Sequence, residues 1–318
     1  MFAITKPSEN AINSAAKALI GGALVGIPTE TVYGLAADAE NEVAVARVYS
    51  VKGRPQDHPV IVHIGSVDYL SRWAINIPDY ALKLAKEYWP GPMTLILERS
   101  EIAKNFITGG QETVGLRVPA HLTALALLKE FHKLGGNGIA APSANRFGAV
   151  SPTNAEAVQS DLGEFLNASQ DVIIDGGQSL VGVESTIIDC TSQFPVILRP
   201  GAITEEMIMV TTGLNTKLNN QPTIRVSGSL EQHYSPKAKI SLGGNVSMGD
   251  GFIALIDLDT PEGGERLASP KTTEEFARTL YAAFREADKR GIERIVVIPP
   301  EGDGIAIAIR DRLTRAAR

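Results

Sequence analysis

The stretch VKGRPQDHPVIVHIG, residues 51–65, places two cations and two histidines around the start and end of an apolar run. The run at residues 60–64 is short and rich in β-branched residues, which is typical of a buried strand. Pro55 biases Arg54 toward an extended conformation, so Lys52 and Arg54 are expected to point the same way. Paired cations suit a polyphosphate ligand, whereas an isolated pair of this kind more often lies in a solvated loop.

The two histidines of this stretch raise the question of a metal site. His58 and His63 are an odd number of positions apart, which would put them on opposite faces of a continuous strand. No third ligand is obvious near them, although a protein metal site usually has three or four. We therefore expect no metal ion held by protein ligands here.

Composition and charge limit the class of protein. The 318 residues exceed one ordinary domain, so we expect two. The formal net charge of −6 argues against the broad basic surface of a dedicated nucleic-acid binder. No apolar run reaches the roughly 18 residues that would cross a membrane, and the N-terminal residues lack the pattern of a secretion signal. We expect a cytoplasmic location, and we expect Cys190, the single cysteine, to be a buried thiol.

Helical and extended patterns alternate along the chain, which predicts an α/β fold. Ser8 is the expected N-cap of the first helix, and a Gly pair ends it. The segments that favour strands are ALVGIP, PVIVHI, MTLILER, VGLRVP, DVIID, STIIDC and PVILRP. The helices between them are mostly short and cannot cover every strand, so we expect a twisted, open mixed sheet with a concave cavity.

The chain changes character after residue 212. Residues 213–238 are rich in Asn, Gln, Ser and Pro and barely periodic, which indicates a linker. Residues 239–318 are predicted to form a smaller α/β domain with strands GFIALIDL and RIVVIPP, leaving 1–212 as the first domain. Its first helix would bury one apolar stripe, made of Phe276, Leu280, Ala283, Phe284 and Ala287.

The segment PTETVYGLAAD, residues 28–38, groups hydroxyl side chains. If it is extended, Thr29, Thr31 and Tyr33 share one side, which suits a small polar ligand. A strand-to-helix turn capped by the threonines is an equal alternative.

The densest polar cluster is IAAPSANRFGAVSPTNAEAV, residues 139–158. Ser143 and Asn145 would share a face, and Thr153 is the expected N-cap of the following helix. A helix N-terminus with nearby hydroxyls is a natural anion site, although a merely well-capped loop is an alternative for SPTNAE. Polar residues after a strand end also mark the usual ligand position in α/β proteins.

Two arginines and a serine add to these clusters. Arg117 lies inside the apolar VGLRVP, where a cation is costly unless it is paired with an anion. Arg199 ends a strand in ILRPGAIT, and Ser185 precedes one in GVESTIID. For each arginine, a salt bridge is as plausible as a ligand contact. Standard nucleotide motifs are absent, since GNGIAA at Gly136 leads to Pro142 instead of a helix.

Eight motifs in order carry a family resemblance: PTETVYGLAADA, KGRPQDHPVIVHI, WPGPMTLIL, GLRVPAH, APSANRFGAVSPT, DGG, GVESTIID and LRPGAIT. Together they resemble the YrdC-like domain. With the HYSP segment of the linker and the second α/β unit, the chain is similar to the long, two-domain threonylcarbamoyl-AMP synthases. This resemblance implies a twisted open sheet with a large positive cavity, followed by a Rossmann-like C-terminal domain.

The resemblance also implies a nucleotidyltransferase that makes L-threonylcarbamoyladenylate from L-threonine, bicarbonate and ATP and releases pyrophosphate. Partner proteins would transfer the threonylcarbamoyl group to the adenosine beside the anticodon of tRNA, so stable binding of nucleic acid by this chain is not expected. Such a reaction needs charge stabilisation and positioning rather than a protein nucleophile. Mg²⁺ would arrive with ATP instead of occupying a protein cage.

Roles follow from the family motifs by position. Contacts to threonine are implied for Thr31, His63 and Ser185. Contacts to ATP are implied for Arg54, His58, Arg117, Ser143, Asn145, Ser151, Arg199 and Tyr234, the last as part of a linker lid. Lys52 and Arg54 would supply catalytic charge stabilisation. His58 stands where asparagine is common in the family, and Ala141 stands where a hydroxyl residue is often found.

Two other functions stay open from the sequence. One is carbamoyl transfer through a carbamoyl-adenylate, but the YrdC-like proteins that perform it carry acylphosphatase, zinc-finger or kinase-like domains that this sequence lacks. The other is a non-enzymatic RNA-binding factor, which the net charge of −6 and the lack of interleaved aromatic and basic residues disfavour. The linker and second domain are expected to gate the cavity.

Overall fold

The computed structural model describes residues 2–219, 224–228 and 234–318. The strands are β1 (Ile4–Thr5), β2 (Val25–Ile27), β3 (Gly34–Asp38), β4 (Ile61–His63), β5 (Met93–Glu98), β6 (Thr113–Arg117), β7 (Ile139–Ala140), β8 (Val172–Ile174), β9 (Thr186–Asp189), β10 (Val196–Arg199), β11 (Lys217–Leu218), β12 (Lys239–Leu242), β13 (Gly251–Ile253), β14 (Glu265–Ala268) and β15 (Arg294–Val297). The helices are α1 (Glu9–Ile20), α2 (Glu42–Lys52), α3 (Leu70–Trp73), α4 (Asp79–Tyr88), α5 (Asn105–Thr108), α6 (Leu122–Lys133), α7 (Ala155–Leu162), α8 (Glu205–Thr212), α9 (Thr273–Arg290) and α10 (Ile305–Ala316), with a 3-10 turn at Val67–Tyr69. Among these described residues, no helix has the length and apolar character of a membrane span.

Strands β1 to β11 form one large mixed sheet in the order β1-β8-β2-β3-β7-β4-β6-β5-β9-β10-β11. Parallel pairs such as β4 with β6 stand beside antiparallel pairs such as β5 with β6. The seven segments expected to be strands are strands here, namely β2, β4, β5, β6, β8, β9 and β10. The predicted mixed sheet is confirmed.

The main core covers one face of the large sheet. Val62, Leu95 and Leu116 come from the neighbouring strands β4, β5 and β6, and all three are fully buried in it. Each such side chain stabilises the fold by about 1.5–3 kcal/mol relative to exposure. Because successive side chains of a strand alternate, the neighbours His63 and Arg117 point to the other face.

The second unit is a small parallel sheet with two helices. Its strand order is β12-β15-β13-β14, and each neighbouring pair is parallel. The predicted stripe of α9 is buried, from Phe276 at 0% exposure to Ala283 at 4%. We call β12 to β15 with α9 and α10 the small-sheet unit, and this confirms the smaller α/β unit expected from the sequence.

The predicted linker, 213–238, falls partly outside the described residues, and His233 of HYSP is among those not described. We call β1 to β11 with the helices between them the large-sheet unit, and residues 224–228 lie against it. There Gln111 Nε2 donates to Arg225 O at 2.9 Å, and Arg225 N donates to Gln111 Oε1 at 2.8 Å. The division at residues 212 and 238 stays a prediction.

Helix caps test the sequence analysis locally. Ser8 caps α1 as expected, since its side chain accepts from Ala11 N at 3.2 Å. The expected cap Thr153 is wrong by one position, because Asn154 caps α7 and accepts from Ala157 N at 2.8 Å. Threonine and asparagine both cap well, so the sequence alone does not rank two adjacent candidates.

Candidate active site

A cavity of about 540 Å³, a volume that includes open solvent at its mouth, lies on the face of the large sheet opposite the main core. Eight of the residues selected from the sequence line it: Thr31, Arg54, His63, Arg117, Ser143, Ser185, Arg199 and Tyr234. Glu184, Ser227 and Gly228 line it as well. The other four selected residues, Lys52, His58, Asn145 and Ser151, lie outside this lining and are treated below.

Arg117 is held by a buried ion pair inside the cavity wall. Its Nη2 donates to Glu30 Oε1 at 2.6 Å, and its Nε donates to Gly91 O at 3.2 Å. The second oxygen of Glu30 accepts from Ala120 N at 3.0 Å. The salt bridge considered from the sequence is therefore present, and it leaves the Arg117 guanidinium fixed at the cavity surface.

His63 is a neutral side chain beside this cation. It pairs in register with Arg117 across β4 and β6. Burial, and then the charge of Arg117, lowers the pKa of His63 to about 3, so the imidazole is uncharged at neutral pH. Its Nδ1 is buried and has no hydrogen-bond partner among the described residues. The cavity wall therefore presents an uncharged polar group directly beside the Arg117 cation.

The hydroxyl residues of the segment 28–38 lie in a tight turn, residues 28–33, between β2 and β3. Thr29 Oγ1 donates to Val32 O at 2.6 Å and accepts from Thr31 N at 3.2 Å. The two threonine hydroxyls lie 2.9 Å apart and are both buried. The segment is therefore not extended at Thr29 and Thr31, and the turn with threonine hydrogen bonds is the alternative that the structure shows. The turn leads into the strand β3 instead of a helix. The turn still presents Thr29, Thr31 and Tyr33 to the cavity.

Arg54 reaches the cavity from the end of α2. Gly53 caps this helix with a left-handed φ of 62°. This conformation ends the helix, so Arg54 is the first residue after the cap. Arg54 Nη2 donates to Pro59 O at 2.8 Å and to Ser227 Oγ at 3.3 Å. Its Nε is buried and has no hydrogen-bond partner within the described ranges.

Arg199 lines the cavity from the end of β10. Its Nε and Nη2 donate to Ser185 O at 3.1 and 2.9 Å, and its Nη1 donates to Ser227 O at 2.8 Å. Ser185 Oγ lies 2.8 Å from Thr94 Oγ1. Ser227 of the linker therefore lies between the guanidinium groups of Arg54 and Arg199.

Lys52 and Asn145 shape the loop that carries Ser143. The Lys52 ammonium donates to the carbonyl oxygens of Ser143 and Asn145. Asn145 Nδ2 donates to Ala149 O at 2.8 Å. Burial lowers the pKa of Lys52 well below its ordinary value. These contacts place Lys52 in support of the wall, with Ser143 at the cavity surface.

Ser151 and His58 lie beside the cavity but are not among its lining residues. Ser151 Oγ donates to Glu184 Oε1 at 2.6 Å. His58 is partly buried, and its ring meets Phe147 edge-on with centroids 5.4 Å apart. The Arg54 guanidinium lies 5.8 Å from the same Phe147 ring, so His58 borders the side of the cavity where Arg54 stands.

Tyr234, a residue of the linker, lines the cavity. Its backbone is in the left-handed conformation, with φ of 63°. Its ring lies 5.9 Å from that of Tyr281 and 5.3 Å from the Arg312 guanidinium, both of the small-sheet unit. A non-glycine residue in this conformation costs energy and is held by its surroundings. The linker residue is thus fixed between the two units.

Sequence reasoning missed several residues of this site. Glu30 and Glu184 stand inside the motifs PTETVYGLAADA and GVESTIID, where each borders a residue that was selected. A buried arginine needs an anion as a partner. The sequence therefore indicated that an acidic residue lies near the buried arginines, but it did not indicate which one. Ser227 and Arg312 offered no comparable signal, because they come from the linker and the last helix.

Two family models match most of the chain. The model described as Telomere recombination matches residues 17–201. The model described as Threonylcarbamoyl-AMP synthase, C-terminal domain matches residues 203–318.

Known proteins similar to this chain agree with these matches. The threonylcarbamoyl-AMP synthase of Pyrococcus abyssi is 38% identical, over 93% of this chain and 91% of that protein. The protein of the same name from Bacillus subtilis is 36% identical, over 96% and 92%. The crystal structure of P. abyssi Sua5 complexed with L-threonine is 36% identical, covers 100% of this chain and 97% of its own, and superposes with a TM-score of 0.88.

Proposed function

The chain belongs to the threonylcarbamoyl-AMP synthase family, and we propose that its cavity joins L-threonine, bicarbonate and ATP into L-threonylcarbamoyladenylate with release of pyrophosphate. The chain is an enzyme of the nucleotidyltransferase type. The observation that carries the proposal is the convergence of Arg54, Arg117 and Arg199 on one cavity that also presents neutral hydroxyl and imidazole groups.

Threonine would occupy the neutral side of the cavity. A relative at 36% identity has been crystallised with L-threonine. The buried hydroxyls of Thr31 and Ser185 and the uncharged His63 lie on the cavity surface. Short polar groups of this kind can hydrogen-bond an amino, carboxyl or hydroxyl group. We therefore assign Thr31, His63 and Ser185 to the threonine position.

The polyphosphate would lie along the arginines. Guanidinium groups bind phosphate oxygens in a planar, two-point geometry. In this structure Ser227 accepts from one nitrogen of Arg54 and one nitrogen of Arg199, and phosphate would compete with the linker for these donors. We propose that residues 224–228 and Tyr234 open and close over the site in this way.

The chemistry follows from this arrangement. The threonine amine gains a carboxyl group from bicarbonate, with loss of water, and an oxygen of the resulting N-carboxylate attacks the α-phosphorus of ATP as pyrophosphate leaves. The arginines stabilise the negative charge on the phosphoryl oxygens, and the cavity aligns the two reactants. No protein nucleophile takes part.

Magnesium would be a substrate component, bound to the phosphates of ATP. Within the described residues, no group of three or more His, Cys, Asp or Glu could hold a metal ion. The product would pass to proteins that transfer the threonylcarbamoyl group to tRNA, and we propose the cytoplasm, where these substrates occur, as the location.

One assay tests the proposal. The protein is incubated with ATP, Mg²⁺, bicarbonate and L-threonine, and pyrophosphate and the adenylate are followed by mass spectrometry. Formation of both, dependent on threonine, is expected. Turnover without threonine but with carbamoyl phosphate would favour carbamoyl transfer, and salt-sensitive tRNA binding without turnover would favour an RNA-binding factor.

A further inference from the structure

Glu184 is the centre of a buried hydrogen-bond network in the cavity wall. It is 6% exposed. Its Oε1 accepts from Ser151 Oγ at 2.6 Å, and its Oε2 accepts from Tyr281 Oη at 3.0 Å. Oε2 also accepts from Arg312 Nε at 2.8 Å. Two of these three donors belong to the small-sheet unit.

Arg312 comes from α10 and is fully buried. Besides Glu184, its Nη2 donates to Pro200 O at 3.0 Å, directly after Arg199 in the chain. Its guanidinium also lies 5.3 Å from the Tyr234 ring. One side chain of the small-sheet unit therefore touches the start of β9, the end of β10 and the linker.

Glu184 carries a negative charge that two arginines and two hydroxyls stabilise together. Burial opposes its ionisation, but Arg312, and then Arg199, holds the pKa of the carboxyl below its ordinary value. The hydroxyls of Ser151 and Tyr281 donate to the charged form as well. Removing one partner of a buried pair leaves the other charge uncompensated.

We propose that Arg312 is a positioning residue for ATP, which neutralises Glu184 in the cavity wall and fixes the segment that carries Arg199. The inference rests on the proposed function, since it requires that the cavity hold a polyphosphate. It assigns to the small-sheet unit a direct electrostatic share in substrate binding.

Each buried glutamate of the cavity wall has an arginine as its partner. Glu30 is paired with Arg117 within the large-sheet unit, whereas Glu184 is paired with Arg312 across the boundary between the units. Arg312 also pairs with its neighbour Asp311, which has Arg315 as a second partner. Without Arg312, the charge of Arg199 and the hydroxyls of Ser151 and Tyr281 would still favour the ionised carboxylate, so an unbalanced negative charge would face the phosphates. A unit charge about 10 Å from a phosphate, at an effective dielectric constant of about 20, changes affinity by roughly tenfold. Threonine has no net charge and would be affected much less.

The test compares three variants of the full chain in the synthesis assay. Arg312→Met removes the cation, and Arg312→Met combined with Glu184→Gln removes both charges. The matched control is Arg278→Met, because Arg278 also crosses the boundary, donating from Nε to Leu180 O at 3.1 Å, but is exposed. The KM for ATP, the KM for threonine, kcat and the melting temperature are measured for each.

Arg312→Met is expected to raise the KM for ATP by roughly tenfold or more while the KM for threonine changes by less than about threefold. The double variant should bring the KM for ATP back to within about threefold of the wild-type value. A merely structural role would not give this split or this rescue. Arg278→Met should behave as the wild-type protein does.

An unchanged KM for ATP in a folded Arg312→Met protein would overturn the inference. If the single variant does not fold, the double variant decides. A wild-type KM for ATP in the double variant supports neutralisation, and a raised one refutes it. Absence of synthesis by the wild-type protein would instead refute the proposed function, so the two failures are distinguishable.

Discussion

Replacement of Arg54 by alanine tests whether the cavity holds the phosphates of ATP. Arg54 is 8% exposed and lines the cavity. Its Nη2 contacts only neutral oxygens in this structure, Pro59 O and Ser227 Oγ, and its Nε has no partner among the described residues. The charge of this guanidinium is therefore available to a bound anion.

The size of the effect follows from these contacts. A hydrogen bond to a charged group contributes about 1.5–3 kcal/mol, so loss of one such contact in the transition state should lower kcat/KM by about 10- to 200-fold. The fold should lose less. Pro59 O keeps a donor, since Ser227 Oγ lies 3.2 Å from it, and we expect a loss of about 1–2 kcal/mol in the free energy of unfolding.

The assay measures initial rates of pyrophosphate release at varied ATP and at varied threonine, together with urea unfolding. Arg72→Ala is the matched control, because Arg72 is a half-exposed arginine that lies 3.8 Å from Glu40 and is remote from the lining residues. A kcat/KM for Arg54→Ala within about threefold of the wild-type value, in a folded protein, would refute the phosphate assignment.

Three further predictions follow. Gly228→Ala should lower kcat/KM, because Gly228 has φ of 80° and an added Cβ would lie 2.0 Å from Tyr234 Oη; wild-type kinetics would contradict the proposed role of the linker. His63→Gln should flatten the pH dependence of stability measured by urea unfolding. His63 has its pKa lowered from 6.5 to about 3, so its contribution is present above pH 6.5 and is lost as the pH falls, by about 2 kcal/mol from pH 6.5 to 5; equal slopes in both proteins would contradict this. Cys190 is 1% exposed and burial raises the pKa of its thiol, so a thiol reagent should label it only after unfolding, and rapid labelling of the folded protein would count against its burial.

Seven strands of the large sheet were predictable because short apolar runs rich in β-branched residues are typical of buried strands. In PVIVHI, Val62 faces the core while Ile61 and His63 line the cavity, and the β-branched content indicates a strand on either face. Local hydrogen bonding was less predictable. The turn at Thr29 depends on one hydroxyl that bonds Val32 O, and a polar threonine fits an extended strand as well.

The grouping of the site was partly predictable. The selected residues stand at strand ends or in the loops beside them, and the sheet brings these positions together at one face. The role of Lys52 inside the group was not predictable, because two cations two positions apart give no sign that one will bond the carbonyl oxygens of Ser143 and Asn145. Arg312 was also hidden, since IAIAIRDRLTRA places it among charged neighbours that suggest a solvated helix face.

The cavity wall contains two buried carboxylates, and their negative charges have to be neutralised if the cavity is to bind a polyanion. The residues that sequence analysis missed include both carboxylates and one of the arginines that neutralise them. Glu30 and Glu184 are each held by an arginine at 2.6 and 2.8 Å. These pairs leave Arg54 and Arg199, whose contacts described here are to neutral oxygens, to supply the positive charge. Motifs of the large-sheet unit contain both glutamates but only one of their partners. The charge of the cavity is therefore a property of the two units together, and neither sequence segment specifies it alone.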